Sequence, residues 1–534
     1  IILNYFNKFY LLVSSNIFLL NFYYNFILLL YFYYLYVIFM ASEKSVWDSN
    51  IAFVLAMIGS AVGLGNIWRF PNVLYSNGGG SFMIPYIVSL FILGISFVLV
   101  EYAVGFKFKT SLSKIFFTIK SRLEPIAWFI ILVVFLITTY YVCVVAWDLI
   151  YVALSLTKAW GANPDLFFTV NVLHASDSLS GIFTIVPWVF ISVFLVWLSS
   201  WAIVQKDLNE GIGKVSKILL PVLVLIVIVI VAFSLTLPGA SIGYTQIFTP
   251  DWSALTNLNV WLAAFGQIVF SLSLGMSIAL TYASYLPEDS KLTDNALIVA
   301  FSNSGFEVFN AIGIFSILGF MALTSGIPFN ELVTEGTGLA FVVFPKVFNV
   351  MGPWASVIGP LFFLCILFAG LTSLMALLEV ASFAISEKFD FSRRRSATLV
   401  CIVGFCISCL FSTAAGSYLL GIFDAFLNNF ALLFGVFLEC IIFGWIYNFD
   451  ELVEVLNSHS SIQMDPFWKI IIKYILPVCI FVLWAQGVYS TILTGDTTSH
   501  MIMLALAIVL VVVPIIFTLL PAKNEDYYKP IQDD

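Results

Sequence analysis

Long runs of apolar residues, separated by short polar segments, recur along this chain, and twelve of them follow Met40. Most are close to or longer than the roughly 20 residues that an α-helix needs to cross the core of a bilayer. The pattern therefore predicts an all-α integral membrane protein with twelve transmembrane helices. These predicted spans 1 to 12 cover residues 51–75, 81–106, 125–155, 183–203, 214–236, 261–285, 294–322, 353–386, 397–413, 418–448, 467–492 and 500–521.

Spans 1 and 6 interrupt their own helical pattern. Span 1 has three glycines within residues 59–65, and span 6 has a polar, glycine-containing stretch at 271–275. Non-helical backbone survives at membrane depth only where it lines a cavity or binding site, and two such breaks five spans apart are typical of inverted-repeat transporters. We expect broken helices 1 and 6 in a five-plus-five inverted repeat of residues 51–236 and 261–448, with spans 11 and 12 outside it. A glycine-rich face for close helix packing is the alternative.

The basic residues indicate the orientation of the chain in the membrane. Nearly all of them fall on one side, concentrated in the loops 107–122 and 387–396, whereas the other side carries only Lys158 and Lys346. Lysine and arginine are enriched in cytoplasmic loops. We therefore expect a multi-pass protein of the cell membrane with both termini cytoplasmic, including a cytoplasmic tail at 523–534.

Residues 1–39 differ in composition from the rest of the chain. They contain no Gly, Ala, Pro, Arg, Asp or Glu and consist almost wholly of Ile, Leu, Phe, Tyr and Asn, whose codons are rich in A and T. The basic start and small-residue cleavage site of a signal peptide are missing. We interpret this segment as a non-native extension, translated upstream DNA, with the natural start at Met40. An additional membrane span is the alternative. The transporter domain then covers residues 40–522.

Composition argues against most soluble functions. Hydrophobic residues make up 61% of the chain and charged residues 10%, whereas soluble domains carry about 25% charged residues. The net charge of −8 disfavours nucleic acid as a partner. All seven cysteines lie in apolar runs and the three histidines are far apart, so we expect no disulfide framework, no thiolate metal site and no Ser-His catalysis. The chain is not predicted to be an enzyme.

Five motifs carry a resemblance to a known family. The first reads Gly59-Ser-Ala-Val-Gly-Leu-Gly-Asn-Ile-Trp-Arg-Phe-Pro71, and the second reads Asn77-Gly-Gly-Gly-Ser-Phe-Met-Ile-Pro-Tyr86. The others lie at 267–275 in span 6, 303–307 in span 7 and 369–373 in span 8. Together they resemble the neurotransmitter:sodium symporter family, in particular its prokaryotic branch typified by the bacterial leucine transporter. The resemblance extends over about residues 44–521.

The family resemblance implies two bound sodium ions and no other cofactor. A sodium ion requires hard oxygen ligands, as other hard cations do. Sodium site 1 would combine the substrate carboxylate with Ala61, Asn66, Ser271 and Asn303. Sodium site 2 would be formed by Gly59, Val62, Ala369, Thr372 and Ser373. For each residue there is an alternative, since Ser and Thr often bond their own helix and Asn often links neighbouring helices.

The resemblance also implies that the substrate is a free amino acid. The N–H groups at Leu64 and Gly65, exposed by the break in span 1, would bind its carboxylate, and Tyr141 would donate its hydroxyl to the same group. Gly63 stands where amine-transporting relatives carry an aspartate, which argues against biogenic amines. The remaining pocket residues would be Ile137, Phe270, Ser271, Ser273, Met276 and Leu377. Because the walls are apolar and Met is adaptable, we expect a hydrophobic or aromatic amino acid.

Gates are implied on both sides of this pocket. On the outer side, Arg69 and Asp424 would form a direct or water-bridged ion pair, above a lid of Phe270 and Tyr141. On the inner side, the gate would be Lys44 and Glu387, where the bacterial leucine transporter has arginine and aspartate. Lysine keeps the sign of the charge but lacks the bidentate fork of arginine.

Glu307 stands where the animal relatives carry a serine near a bound chloride ion. By resemblance its neighbours would be Tyr86, Gln267 and Ser271. A carboxylate supplies the negative charge covalently, so transport without chloride is expected. When sodium leaves, the carboxylate would lose its counter-charge, so the empty carrier is expected to return with a proton. A glutamate that serves only helix packing is the alternative.

These features predict a sodium-coupled amino acid symporter that works by alternating access, in which spans 1, 2, 6 and 7 move against the other spans. A receptor of the same fold that binds an amino acid without transporting it is the alternative. The presence of gate residues on both sides favours transport.

Overall fold

A computed structural model of the chain describes residues 46–333, 336–464 and 466–529. The described residues form helices and connecting loops, and no β-strand occurs among them. The predicted extension at 1–39 and the predicted gate residue Lys44 lie outside the described residues. The interpretation of the extension therefore stays a prediction.

Ten helices in the described part are long and apolar enough to cross a membrane. They correspond to all predicted spans except 1 and 6, and their bounds differ from the predicted ones by a few residues. The prediction of an all-α integral membrane fold is confirmed. The ten helices are Gly80–Phe108, Ser121–Ser155, Pro187–Val204, Asn209–Leu235, Leu292–Ser325, Gly352–Phe389, Arg393–Ser412, Gly416–Ile446, Phe467–Leu493 and Thr497–Leu519.

Spans 1 and 6 are each divided into two helices, as the sequence predicts. Span 1 consists of Asn50–Ala61 and Gly65–Ser76, which meet at an angle of 54° and together are long enough to cross a membrane. Span 6 consists of Leu258–Ser271 and Ile278–Ala283, and each half is shorter than the roughly 20 residues that a crossing requires. The relation of the two halves of the chain by an inverted repeat stays a prediction.

The break in span 6 depends on a backbone conformation that few residue types adopt. Ser273, Gly275 and Ser277 have positive φ angles of 52°, 68° and 56°, a region that disfavours residues with a Cβ atom. At Gly275 the space is also closed, because an added Cβ would lie 2.3 Å from Cγ2 of Val436 in span 10. Glycine at this position therefore lets span 10 pack directly against the break.

The longest helices place the break of span 1 in the middle of the protein. Spans 3 and 8 pack along each other and are among the most deeply buried helices, whereas span 12 is the least buried. Span 8 approaches span 1 closely, since a Cβ at Gly63 would lie 3.0 Å from Oγ of Ser373. Shorter helices connect the spans at Leu112–Ile119, Ala240–Phe248, Gly336–Val350 and Phe449–Ser458.

We predict that Gly275→Ala destabilises the protein by about 2–4 kcal/mol, because positive φ costs about 1–2 kcal/mol for a residue with Cβ and overpacking costs about 1–3 kcal/mol. Thermal unfolding of the purified protein, with Gly266→Ala as the matched control, measures the effect. Gly266 lies in the first helix of span 6, where an added Cβ would meet nothing within 4 Å. The control should be neutral or slightly stabilising. Equal melting temperatures for the two variants would contradict the role of Gly275.

Candidate functional site

Four buried polar side chains from three spans form one hydrogen-bonded cluster beside the break in span 1. Asn66 Nδ2 donates to Asn303 Oδ1 at 2.8 Å and to Glu307 Oε1 at 3.1 Å. It is also 3.4 Å from Ser271 Oγ, which accepts a second bond from Asn303 Nδ2. The structure thus brings together Asn66, Ser271 and Asn303, three of the four residues predicted for sodium site 1. Amide, hydroxyl and carboxylate oxygens are hard ligands, so the residue types of this cluster suit an alkali cation, and Asn66 here turns its NH2 group into the cluster while its Oδ1 accepts the Gly63 N–H.

The residues predicted for sodium site 2 line the contact between spans 1 and 8. Thr372 and Ser373 donate their hydroxyls to the Ala369 carbonyl at 3.0 and 3.1 Å, which is the helix-bonding arrangement that the sequence leaves as an alternative. Both hydroxyls nevertheless face span 1, because Ser373 Oγ also lies 3.2 Å from the Ser60 carbonyl oxygen and a Cβ at Gly59 would lie 3.8 Å from Thr372 Oγ1. Val62 directly follows the first helix of span 1, where the backbone leaves helical geometry.

Three donors converge on the buried Glu307 carboxylate. The Tyr86 hydroxyl donates to Oε2, and Gln267 Nε2 donates to Oε1 at 2.8 Å. The third donor is Asn66. Tyr86 and Gln267 were both expected from the resemblance to lie here. Charge-assisted hydrogen bonds of this kind stabilise an ionised carboxylate, so Glu307 is built to hold a negative charge next to the predicted sodium site 1.

A cavity of about 510 Å³ lies between spans 1, 3, 6, 8 and 10, within the range of about 300–1,000 Å³ usual for small-molecule sites. Ala61, Asn66 and Ser373 reach its wall from the two predicted sodium sites. Ser271, which was expected to contact the substrate, is not among the lining residues and lies in the buried cluster behind them. All other predicted substrate residues line the cavity: Leu64, Gly65, Ile137, Tyr141, Phe270, Ser273, Met276 and Leu377.

Both predicted outer-gate residues line this cavity. The Arg69 guanidinium lies 4.2 Å from the centroid of the Phe270 ring, which is a cation–π contact. Asp424 accepts hydrogen bonds from the Tyr140 hydroxyl at 2.9 Å and from Asn428 Nδ2 at 2.7 Å. Tyr140 and Asn428 also line the cavity and were not predicted. They hold the Asp424 carboxylate in the cavity wall.

The inner-gate prediction is only partly covered by the described residues, since Lys44 lies outside them. The Glu387 carboxylate accepts the Ser111 N–H at 2.9 Å and the hydroxyls of Thr110 and Ser111. It therefore ties the end of span 8 to the loop after span 2. Trp47 is buried, and its two N–H groups donate to backbone carbonyls at the end of span 6 at 2.9 Å.

Comparison with known proteins identifies the family. A family model described as the sodium:neurotransmitter symporter family matches residues 44–165 and 161–520. The chain belongs to this family. It is therefore a multi-pass membrane protein related to sodium-dependent transporters and not to enzymes.

Several characterised and uncharacterised relatives of this symporter match most of its length. An uncharacterized sodium-dependent transporter of Methanocaldococcus jannaschii is 40% identical over 470 residues, covering 87% of this chain and 95% of the relative. The human sodium- and chloride-dependent creatine transporter 1 is 29% identical over 513 residues, covering 85% and 79%. The human sodium- and chloride-dependent GABA transporter 2 is 28% identical over 476 residues, covering 82% and 79%.

The described residues also include a buried ion pair that the sequence did not predict. Arg393, at the start of span 9, donates to both oxygens of Glu379 in span 8, at 2.6 and 2.7 Å. The Tyr285 hydroxyl donates to the same carboxylate at 2.8 Å. An acidic residue within an apolar span signals a functional or structural partner, so Glu379 could have been singled out from the sequence. Its partner could not, because Arg393 lies in a run of three arginines.

Proposed function

We propose that this chain imports a hydrophobic or aromatic amino acid together with two sodium ions, by alternating access. The observation that carries the proposal is the cavity between the broken spans 1 and 6, which shares Asn66 with the buried oxygen cluster. A substrate carboxylate in this cavity would complete sodium site 1. The second sodium ion would bind between spans 1 and 8, near Thr372 and Ser373.

The cavity walls support the choice of substrate. Ile137, Met276 and Leu377 form an apolar wall, while Tyr141 and Leu64 line the same cavity, where a carboxylate would bind. The relatives transport creatine and GABA, both of which carry a carboxylate group. At position 63 this chain has glycine rather than an acid, so this position offers no counter-charge for an amine.

The residues that line the cavity also support the proposed orientation of the chain in the membrane. Gly336 and Thr337, from the loop between spans 7 and 8, line it, whereas the basic loops at 107–122 and 387–396 belong to the opposite face. Since basic loops are cytoplasmic, the cavity opens to the outside and the face with Glu387 is the inner face. We propose the plasma membrane as the location, with both termini inside.

We predict that proteoliposomes containing the protein accumulate a labelled hydrophobic or aromatic amino acid when sodium is high outside, and not when potassium replaces it. A panel of labelled amino acids, with creatine and GABA included, identifies the substrate. Empty liposomes give the background. Sodium-dependent binding in detergent without any uptake would contradict the proposal and favour the receptor alternative.

The shared residue Asn66 leads to a prediction about coupling. Asn66→Ala or Ser271→Ala should weaken both sodium and substrate binding by about tenfold or more, since binding linkage is reciprocal. Thr372→Ala should weaken sodium binding with a smaller effect on substrate, because its hydroxyl lies in the other predicted site. Sodium titrations of substrate binding measure both effects. An unchanged sodium dependence in Asn66→Ala would show that sodium site 1 is assigned wrongly.

We further propose that transport does not require chloride and that a proton returns on the empty carrier. The support is the Glu307 carboxylate, which already fills the place at which Tyr86, Gln267 and Asn66 direct their donors. Once sodium has left, the buried carboxylate lacks a counter-charge, and a proton would neutralise it. Sodium entry would then be accompanied by proton exit.

We predict that uptake persists when gluconate replaces chloride, and that the vesicle interior becomes more alkaline during uptake. Glu307→Ser removes the carboxylate and leaves the three donors around an open position that chloride can occupy. This variant should show uptake about tenfold higher with chloride than without it, and little alkalinisation. Glu307→Gln, which keeps the volume filled, is the matched control and should gain no response to chloride. Loss of wild-type uptake in gluconate would refute the proposal.

A further inference from the structure

Two asparagine side chains form a reciprocal pair of hydrogen bonds between spans 1 and 7. Asn50 is the first residue of the helix Asn50–Ala61, the inner half of span 1. Its Nδ2 donates to Asn295 Oδ1 at 2.8 Å, and Asn295 Nδ2 donates back to Asn50 Oδ1 at 2.7 Å. Asn295 lies in the first turn of span 7 and is only 1% exposed. The oxygen and the nitrogen of a buried amide therefore both depend on one residue of span 1.

Buried contacts also attach this part of span 1 to spans 6 and 2. Trp47, just before the helix, is buried and donates its Nε1–H to the Tyr282 carbonyl at the end of span 6, at 2.9 Å. The Phe53 ring packs edge-on against the Tyr102 ring of span 2, with centroids 5.3 Å apart, and both rings are fully buried. Spans 2, 6 and 7 are the spans expected to move together with span 1. Groups shielded from water thus join the inner half of span 1 to all three.

The contact of the same segment with span 5 is exposed. Asn209, at the start of span 5, accepts the Asp48 N–H at 3.0 Å and donates Nδ2 to the Val46 carbonyl at 2.8 Å. Lys217 Nζ lies 3.0 Å from Asp48 Oδ2, and these two side chains are 36% and 48% exposed. Water can replace such partners when they separate, so exposed pairs contribute little. A buried amide that loses its partner has no such replacement and carries the full cost of desolvation.

This difference decides between two ways of opening toward the inside. Release of sodium to the inside requires the inner half of span 1 to leave span 8, because Gly59 and Thr372 of predicted sodium site 2 face each other across that contact. The break at residues 62–64 would let this half swing alone, but that motion leaves the buried Asn295 amide unpaired. Motion together with span 7 keeps the buried hydrogen bonds and separates the exposed ones, so it costs less.

We propose that Asn50 and Asn295 are positioning residues that fasten the inner half of span 1 to span 7, so that this half moves with span 7 and does not swing alone. The inference rests on the proposed transport function, from which it takes the need to open toward the inside. The links that separate are those of Asn209 and Lys217 to the segment before span 1.

Distances between pairs of spin labels in the purified full-length protein test this proposal. The labels replace the exposed residues Ile51 in span 1, Ile298 in span 7 and Ile218 in span 5. They are carried by genetically encoded amino acids, because the native Cys406 is exposed and would also react. Replacing sodium by potassium should lengthen the 51–218 distance and leave the 51–298 distance unchanged. A longer 51–298 distance, or an unchanged 51–218 distance, would overturn the proposal.

Variants of the amide pair test the role of the two asparagines. In potassium, Asn295→Ala should lengthen and broaden the 51–298 distance, since the inner half of span 1 is then free to swing alone. Asn50→Ala removes the same hydrogen bonds at an exposed side chain and should act in the same way even if Asn295→Ala does not fold. Asn209→Ala is the matched control, which removes links to span 5 and should leave the 51–298 distance unchanged. An unchanged distance in Asn50→Ala, or an equal change in Asn209→Ala, would contradict the proposal.

A sodium titration separates a positioning role from a purely structural one. If the inner half of span 1 swings alone in Asn50→Ala, Gly59 leaves Thr372 more often, and the half-saturating sodium concentration should rise about threefold or more. A lower melting temperature with unchanged sodium dependence would show a structural contact only and overturn the proposal. Uptake by the unaltered protein tests the transport function separately. Absence of uptake, with the label distances as expected, would overturn the proposed function and leave the attachment of span 1 to span 7 in place.

Discussion

Inside a bilayer core there is no water to bond a free backbone N–H or C=O group, so each must find a partner within the protein. The break in span 1 releases such groups from helical pairing, and polar side chains satisfy them. Asn66 Oδ1 accepts the Gly63 N–H at 2.9 Å, and Asn310 Nδ2 approaches the carbonyls of Asn66 and Ile67 at 3.3 Å. Asn66, which satisfies the backbone at the break, therefore also belongs to the candidate sodium site, and the fold and the site share this residue.

Buried carboxylates in this protein differ in how many hydrogen-bond donors surround them. Glu307 and Glu379 are surrounded by hydrogen-bond donors, which stabilise the ionised form of a carboxylate. Glu101, Asp148 and Glu439 are equally buried, but each has at least one oxygen without a hydrogen-bond partner among the described residues. An isolated buried charge is costly. The arrangement of hydrogen-bond donors, rather than the presence of an acidic residue, thus distinguishes the carboxylates that can hold a charge: Glu307 near the cavity and Glu379 at the contact between spans 8 and 9.

The local parts of this architecture follow from the sequence, and the parts made by contact between distant spans do not. Apolar runs predict the helices, and the glycines of span 1 predict its break, because both signals lie within a few consecutive residues. The pairing of Asp424 with Tyr140 depends on how spans 3 and 10 are rotated about their own axes. The pattern of apolar residues in the sequence does not show this rotation. Similarly, the basic residues of the loop 387–396 predict which face is cytoplasmic, but they do not predict that Arg393 pairs with Glu379.

Coupling between ion and substrate does not require a long pathway in this geometry. Asn66 lines the cavity on one side and donates into the oxygen cluster on the other, and Ser373 likewise reaches the cavity from the contact between spans 1 and 8. A ligand that moves either residue changes both the cavity wall and an ion site at once. Because linkage is reciprocal, the factor by which sodium changes the affinity for substrate must equal the factor by which substrate changes the affinity for sodium. We therefore expect the break in span 1 to be the element through which the two proposed binding events are coupled.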